Sequence, residues 1–228
     1  MRALLLPIKD LRNAKKRLVG ALTPEERFGL AQAMLADTIR AVRGVQRAEK
    51  VFVVTNYDPA MLVAEENGWE ILPEEHQVSE SDSVDAASRL CELRGVTGLL
   101  RVPLDVPLVQ AGDIDDLLAV ECEAPALVIV PSRDGMGTNA ILRMPPALFP
   151  SHFGVGSFAK HVGEAERAGA RVIFRRNTRL EMDVDDEADL RLLLKNDLSG
   201  TETGRWLRES GVETRLRSHL KAGAMGAR

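Results

Sequence analysis

Residues 51–72 read VFVVTNYDPAMLVAEENGWEIL, and this stretch decides the fold. VFVVT at 51–55 is a short apolar run rich in β-branched residues, the pattern of a buried strand. Asp58-Pro59 then opens a helix, since proline is tolerated in the first turn, and Gly68 closes it. Ile71-Leu72 begins another strand. The same alternation extends in both directions. Toward the N-terminus, RALLL at 2–6 reads as a strand and is followed by a Lys/Arg-rich stretch at 9–19. Thr23-Pro24-Glu25-Glu26 forms a capping box, and the helix behind it carries Phe28, Ala31, Leu35, Ile39 and Val42 at helical spacing.

Toward the C-terminus comes a polar loop from Pro73 to Asp82, then a helix expected over 83–94 and ended by Gly95. GLLRVPL at 98–104 reads as a strand running into Asp105-Val106-Pro107. A helix is expected over 113–122, strands over 126–130 (ALVIV) and 139–143 (NAILR), and a helix capped by Ser157 and reaching Ala168. Short strands are expected at 171–174 and in the run toward Met182, and a last clear helix over 187–195. The alternation predicts an α/β fold, a mostly parallel sheet with helices on both faces. Ligands in such sheets bind at the carboxyl ends of the strands. Residues 1–198 form the expected domain. Residues 199–228 are polar and Arg-rich, with Gly223 and Gly226, and read as a weak helix with a frayed end.

A chain of 228 residues suits one such domain and needs no disulfide or structural metal for stability. A net charge of −4 argues against a protein built to hold nucleic acid. Cys91 and Cys122 lie far apart with no CxxC spacing, so they read as small hydrophobes. In MRALLLPIKD the apolar run is cut short by Lys9 and Asp10, which marks a strand and not a signal peptide. No apolar stretch approaches the roughly 20 residues that span a bilayer. The expectation is a cytoplasmic protein with no membrane partner; a homodimer is the assembly considered.

Three groups of residues carry chemistry. Asp105 follows a strand and precedes the stiff Val106-Pro107. Asp183 and Asp185 stand at i and i+2, so an extended chain puts both carboxylates on one side and Val184 on the other. Carboxylates held together repel unless a cation lies between them, and Mg²⁺ suits hard oxygen ligands completed by phosphates and water. A helix-capping acidic cluster explains the same DxDD pattern equally well; Asp186 is the expected cap. In the loop after the first strand, Lys9, Lys15, Lys16 and Arg17 could neutralise a triphosphate, or be a solvated charge run. Asp134-Gly135-Met136-Gly137-Thr138-Asn139 and Phe153-Gly154-Val155-Gly156-Ser157 each read as a glycine turn, and together as two halves of a phosphate cradle. His161 could face the site or solvent. Neither GxGxxG nor a P-loop is present, and no GxSxG supplies a nucleophile.

With these pieces in view, the sequence resembles the CofC/FbiD family of guanylyltransferases of deazaflavin coenzyme biosynthesis. The resemblance covers roughly residues 1–198. It rests on P-I-K-D-L-R-N-A-K-K-R-L at 7–18, D-T at 37–38, V-V-T at 53–55 and L-D-V-P-L at 104–108. It rests also on P-S-R-D-G-M-G-T-N-A at 131–140, F-G-V-G-S-F-A-K-H at 153–161 and M-D-V-D-D-E-A-D-L at 182–190. It implies a Rossmann-like nucleotidyltransferase of the glycosyltransferase-A type. The implied reaction joins GTP to phosphoenolpyruvate or 2-phospho-L-lactate and releases pyrophosphate. By position it implies Asp105, Asp183 and Asp185 as metal-binding acids for Mg²⁺, and Thr138, Gly154 and Ser157 as acceptor-phosphate residues. Lys9, Lys15 and Arg17 would hold the β and γ phosphates. Where many relatives have Gly-Leu-Asn, this chain has Ser83-Val84-Asp85, so Asp85 is expected to meet guanine N–H groups. Rival readings are a cytidylyl or sugar-phosphate nucleotidyltransferase, a non-catalytic GTP-binding regulatory domain, and a glycosyltransferase.

Overall fold

The computed structural model describes residues 1–74, 76 and 78–225, with side chains described through 218. The sheet is built from β1 (Arg2–Pro7), β2 (Lys50–Thr55), β3 (Glu70–Pro73), β4 (Gly98–Arg101), β5 (Ala126–Pro131), β6 (Thr138–Met144) and β7 (Arg171–Phe174). Their order is β3-β2-β1-β4-β6-β5-β7. All pairings are parallel except those of β6, which runs antiparallel to both β4 and β5.

The expected helices are present as α1 (Pro24–Arg43), α2 (Asp58–Glu66), α3 (Glu80–Leu93), α4 (Ala111–Leu118), α5 (Ser157–Arg167) and α6 (Glu187–Leu193). Thr23 and Glu26 form the reciprocal capping box at the start of α1. Asp186 caps α6, accepting from the N–H groups of Ala188 and Asp189.

Alternate strand residues feed two cores. Leu4, Leu6, Val53, Leu100, Val128 and Leu142 pack under α1, α2 and α4. Leu5, Phe52, Val54 and Leu72 pack under α3, while Leu127, Ile129 and Ile141 meet Ala165 of α5. The helices thus cover both faces, as the apolar runs predict.

Several boundaries differ from expectation, each for a local reason. α3 starts three residues early, because the Ser79 side chain accepts from the Asp82 N–H and so caps it. β4 stops at Arg101, short of the expected Leu104, since Pro103 has no N–H for the ladder. α4 covers 111–118 in place of 113–122, capped by Gln110. Gly156, at φ 70°, occupies the N-cap of α5, so Ser157 is the first helical residue and not the cap. No strand forms in the run toward Met182; the chain turns there, with the Glu181 N–H bonded to the Asn177 carbonyl.

The largest correction concerns residues 199–228. Where one weak helix was expected there are two, α7 (Glu202–Glu209) and α8 (Val212–Met225). Leu207, Val212 and Leu216 join a third core with Leu18, Leu30 and Met34 from the first 43 residues and Met182, Val184, Leu190 and Leu193 from the acidic segment. Asp37, fully buried, accepts from the Glu202 and Thr203 N–H groups at 2.8 and 2.9 Å and so caps α7 from the middle of α1. The residues for which fraying was expected include 226–228, which lie outside the described residues.

Candidate active site

The reversal of strand order between β1 and β4 opens a cleft at the carboxyl edge of the sheet. β6 runs the other way, so its first residue, Thr138, starts at the edge where β4 ends. The loops after β1, β4 and β5 therefore converge with the segment around Asp183.

Two hydrogen bonds tie the acidic pieces together. The Val184 N–H donates to the Asp105 carbonyl at 3.0 Å, and Lys15 Nζ donates to the Val184 carbonyl at 2.6 Å. Val184 itself is fully buried in the third core, which turns Asp183 and Asp185 toward the cleft. The i, i+2 reading of these acids therefore holds. Lys15, held in a left-handed conformation at φ 53°, points its largely buried ammonium at Asp105 (3.2 Å) and Asp185 (3.6 Å). Arg17 pairs with the other side of Asp185 at 3.3 Å. Asn139 donates to Asp183 at 3.1 Å and to the Leu180 carbonyl at 2.8 Å.

The three aspartates differ electrostatically. Burial, reinforced by the Asp105 and Asp185 carboxylates, pushes Asp183 up to about 6 despite the Asn139 amide. Burial likewise raises Asp185, with Lys15 and Arg17 only partly offsetting it. Burial also works against charge on Asp105, but Lys15 and Arg101 outweigh it and hold that carboxyl below its ordinary range. Two acids that resist ionisation beside a third that is ionised are a site that favours added positive charge.

The donor set is hard oxygen, which suits Mg²⁺. Among the described residues, no three acidic, histidine or cysteine side chains converge closely enough to cage an ion. Mg²⁺ commonly takes one or two carboxylates and completes its shell with substrate phosphates and water, so the acids at this edge fit that mode and not a closed protein site.

The cleft has two compartments. One, about 700 Å³, is lined by Lys9, Lys15, Lys16, Arg17 and the apolar Leu11, Met34 and Leu104. The other, about 570 Å³, is lined by Thr138, Asn139, Gly154, Gly156, Ser157 and Asp183. Arg17, Glu80, Arg101, Asp105 and Asp185 border both. The two glycine loops are joined where the Phe158 N–H donates to the Met136 carbonyl at 3.1 Å. Gly154 and Gly156 lie at φ 115° and 70°, conformations that a side chain would strain.

Asp85 is not part of this site. Its carboxylate accepts from the Ser151 N–H at 3.0 Å and from Ser151 Oγ at 2.6 Å, and meets Arg143 at 3.4 Å, away from the residues lining either compartment. Where guanine N–H groups were expected, the Asp85 carboxylate meets donors of the chain itself.

Sequence reasoning missed Arg101 and Glu80, which form an ion pair on the border of the compartments. Arg101 donates to the Asn139 carbonyl at 3.0 Å and stacks over the Phe153 ring at 4.6 Å. The sequence shows of this only a lone arginine that ends the apolar run GLLR directly before the cleft loop. His161 faces neither the cleft nor solvent, being fully buried behind Thr138.

Comparison with known proteins bears on the family and the fold. A family model described as "Guanylyl transferase CofC like" matches residues 1–223. The phosphoenolpyruvate guanylyltransferase of Rubrobacter xylanophilus is 38% identical over 186 residues, covering 81% of this chain and 89% of that protein. The 2-phospho-L-lactate guanylyltransferase of Methanothermobacter thermautotrophicus is 29% identical over 205 residues, covering 90% of this chain and 89% of that protein. Among solved structures, a protein from Desulfovibrio desulfuricans described as a nucleotide-diphospho-sugar transferase superposes with a TM-score of 0.75 at 15% identity, covering 94% of this chain and 97% of its own. A CMP:2-keto-3-deoxy-manno-octonic acid synthetase complexed with CTP gives 0.54 at 12% identity over 84% of this chain and 96% of its own. At such identities the solved structures bear on the fold alone, which is that of Rossmann-like nucleotidyltransferases.

Proposed function

The chain belongs to the family of CofC-like guanylyl transferases, and from that premise we propose that it transfers the guanylyl group of GTP to phosphoenolpyruvate or 2-phospho-L-lactate, releasing pyrophosphate, as a step in making a deazaflavin coenzyme. The observation that carries this reading is the pair of compartments meeting at Asp105, Asp185 and Arg101. Two anionic substrates can lie on either side of one charged border. The more similar named relatives favour phosphoenolpyruvate as the acceptor to test first.

The acceptor is a phosphate ester whose second pKa is near 6, so its oxygens are already largely anionic at neutral pH. It needs no general base, and among the described residues no histidine lines either compartment. The obstacle is repulsion between two anions, so the protein's work is positioning and charge neutralisation. In this proposal Lys9, Lys15 and Arg17 hold the β and γ phosphates in the larger compartment and stabilise charge on the departing pyrophosphate. Thr138, Gly154 and Ser157 seat the acceptor phosphate in the smaller one. Asp105, Asp183 and Asp185 would supply the carboxylates for Mg²⁺, an ion taking one or two of them and completing its shell with substrate oxygens and water, and the ion when bound would supply positive charge where the two anions meet. A cytoplasmic location and a homodimeric state belong to the same proposal.

Pyrophosphate release, measured with each of the four ribonucleoside triphosphates in the presence and absence of acceptor, tests it. Release that requires both GTP and a phospho-acid is the expected result. Release with CTP alone among the nucleotides, or GTP binding that no acceptor converts into release, would sink it.

A further inference from the structure

His161 is a fully buried histidine whose two ring nitrogens both have partners. Nε2 receives the backbone N–H of His152 at 2.8 Å, and Nδ1 lies 2.9 Å from Thr138 Oγ1. A backbone N–H can only donate, so Nε2 must present its lone pair. In a neutral imidazole the proton then sits on Nδ1, and Nδ1–H donates to the Thr138 hydroxyl. The ring is kept neutral: burial, followed by the nearby Arg143, His152 and Arg101 charges, presses its pKa down to about 3, while Glu164 pulls weakly the other way. Phe153 meets the ring edge-on at 5.1 Å and Phe149 lies at 6.0 Å, so the ring has an apolar wall and little freedom to turn.

The consequence lies at Thr138, which lines the smaller compartment. A free hydroxyl can donate or accept as its surroundings ask. Once Oγ1 accepts from His161, its own proton cannot point at the ring, and among the described residues it has no other partner. It is committed to the cleft.

We propose that His161 is a positioning residue, which the His152 N–H fixes as the Nδ1–H tautomer and which thereby turns the Thr138 proton away from the ring, free to donate to an anionic oxygen of the acceptor. The proposal rests on the functional reading above and adds how the acceptor anion is distinguished from neutral or cationic groups. Backbone N–H groups of the loops can only donate, and a Thr138 proton turned from the ring adds one more donor aimed at an anion. The opposite tautomer would invite the Thr138 proton onto the ring and turn its lone pairs toward the anion.

The test combines steady-state kinetics with histidine nitrogen-15 NMR of the wild-type chain at neutral pH. His161→Phe keeps the aromatic packing and removes the donor. It is expected to raise the acceptor KM several-fold, because the Thr138 hydroxyl keeps its proton but loses the partner that orients it, with the GTP KM unchanged. Thr138→Val removes the donor outright and is expected to raise it about tenfold or more, the scale of one hydrogen bond to a charged group, and adding His161→Phe to it should cost little more, because His161 acts through that hydroxyl. His161→Asn, which can still donate from Nδ2, should recover most of the loss. In the spectrum, Nδ1 should be pyrrole-like and Nε2 pyridine-like. An unchanged acceptor KM in His161→Phe, losses that add in the double variant, or a proton found on Nε2 would overturn the proposal. Failure of the functional reading looks different: the wild type itself would transfer no guanylyl group. The spectrum needs no variant, so it decides the tautomer even if His161→Phe does not fold.

Discussion

Asp183 sits where burial and two neighbouring carboxylates all oppose its charge. Its folded pKa, about 6, lies above the ordinary 3.8, so the folded state prefers the protonated form. The sign of the linkage follows. Between those two values the folded protein binds more protons than the unfolded chain, and stability falls as pH rises through the window. Above it the cost is fully present. Asp183→Asn, measured by denaturation in a chelator, should therefore stabilise the protein by about 1–3 kcal/mol at neutral pH, and the gain should vanish below about pH 4. The same variant should lose turnover by at least about 100-fold in the presence of Mg²⁺. A variant that is both more stable and inactive marks a residue kept for chemistry; wild-type rates would refute its place in the site.

At the scale of elements, one buried carboxylate ties the start of α7 to α1. Asp37 accepts two N–H groups of α7 and pairs with Arg40 at 2.8 Å. Asp37→Ala would strip a cap and leave buried donors unpaired, and should cost about 1–3 kcal/mol in a urea titration with the cleft residues untouched. The D-T pair at 37–38 belongs to the motifs on which the family resemblance rests, and the structure gives Asp37 a structural reason.

This junction also shows where sequence reading stops. The strands were legible because each is a short apolar run bounded by Gly, Pro or charge, and α1 was legible from its capping box. The DxD alternation was legible because period two is intrinsic to extended chain. The tail was not. Leu207, Val212 and Leu216 are sparse apolar positions among arginines, and their value appears only when Leu18, Leu30 and Met34, far away in sequence, form the other wall. The partner of Asp85 was hidden for a related reason, since Ser151 lies 66 residues on. Arg101 was visible but unreadable, because a lone cation after a strand says nothing of the ring and carbonyl it will meet.

At the scale of the molecule, the third core links the C-terminal helices to chemistry. It buries Val184 between the two cleft aspartates and Leu18 just after Lys15 and Arg17. Removing residues 199–228 would expose that core. Each of Leu207, Val212 and Leu216 contributes roughly 1.5–3 kcal/mol when buried, against a typical whole-domain stability of about 5–15 kcal/mol. The truncated chain should lose most of its cooperative thermal unfolding transition and its activity together. A truncated protein with an unchanged melting curve would show that these helices are an appendage.

The whole account depends on two anions meeting across the border formed by Asp105, Asp185 and Arg101. Mass spectrometry of the products from GTP, Mg²⁺ and each of phosphoenolpyruvate, 2-phospho-L-lactate and 3-phosphoglycerate tests that most directly. The account predicts a new species in which GMP is joined through a diphosphate to one of the first two acids, with one pyrophosphate per product. Unreacted GTP with every acceptor, or a nucleotide joined to a sugar phosphate and to none of these acids, would contradict it.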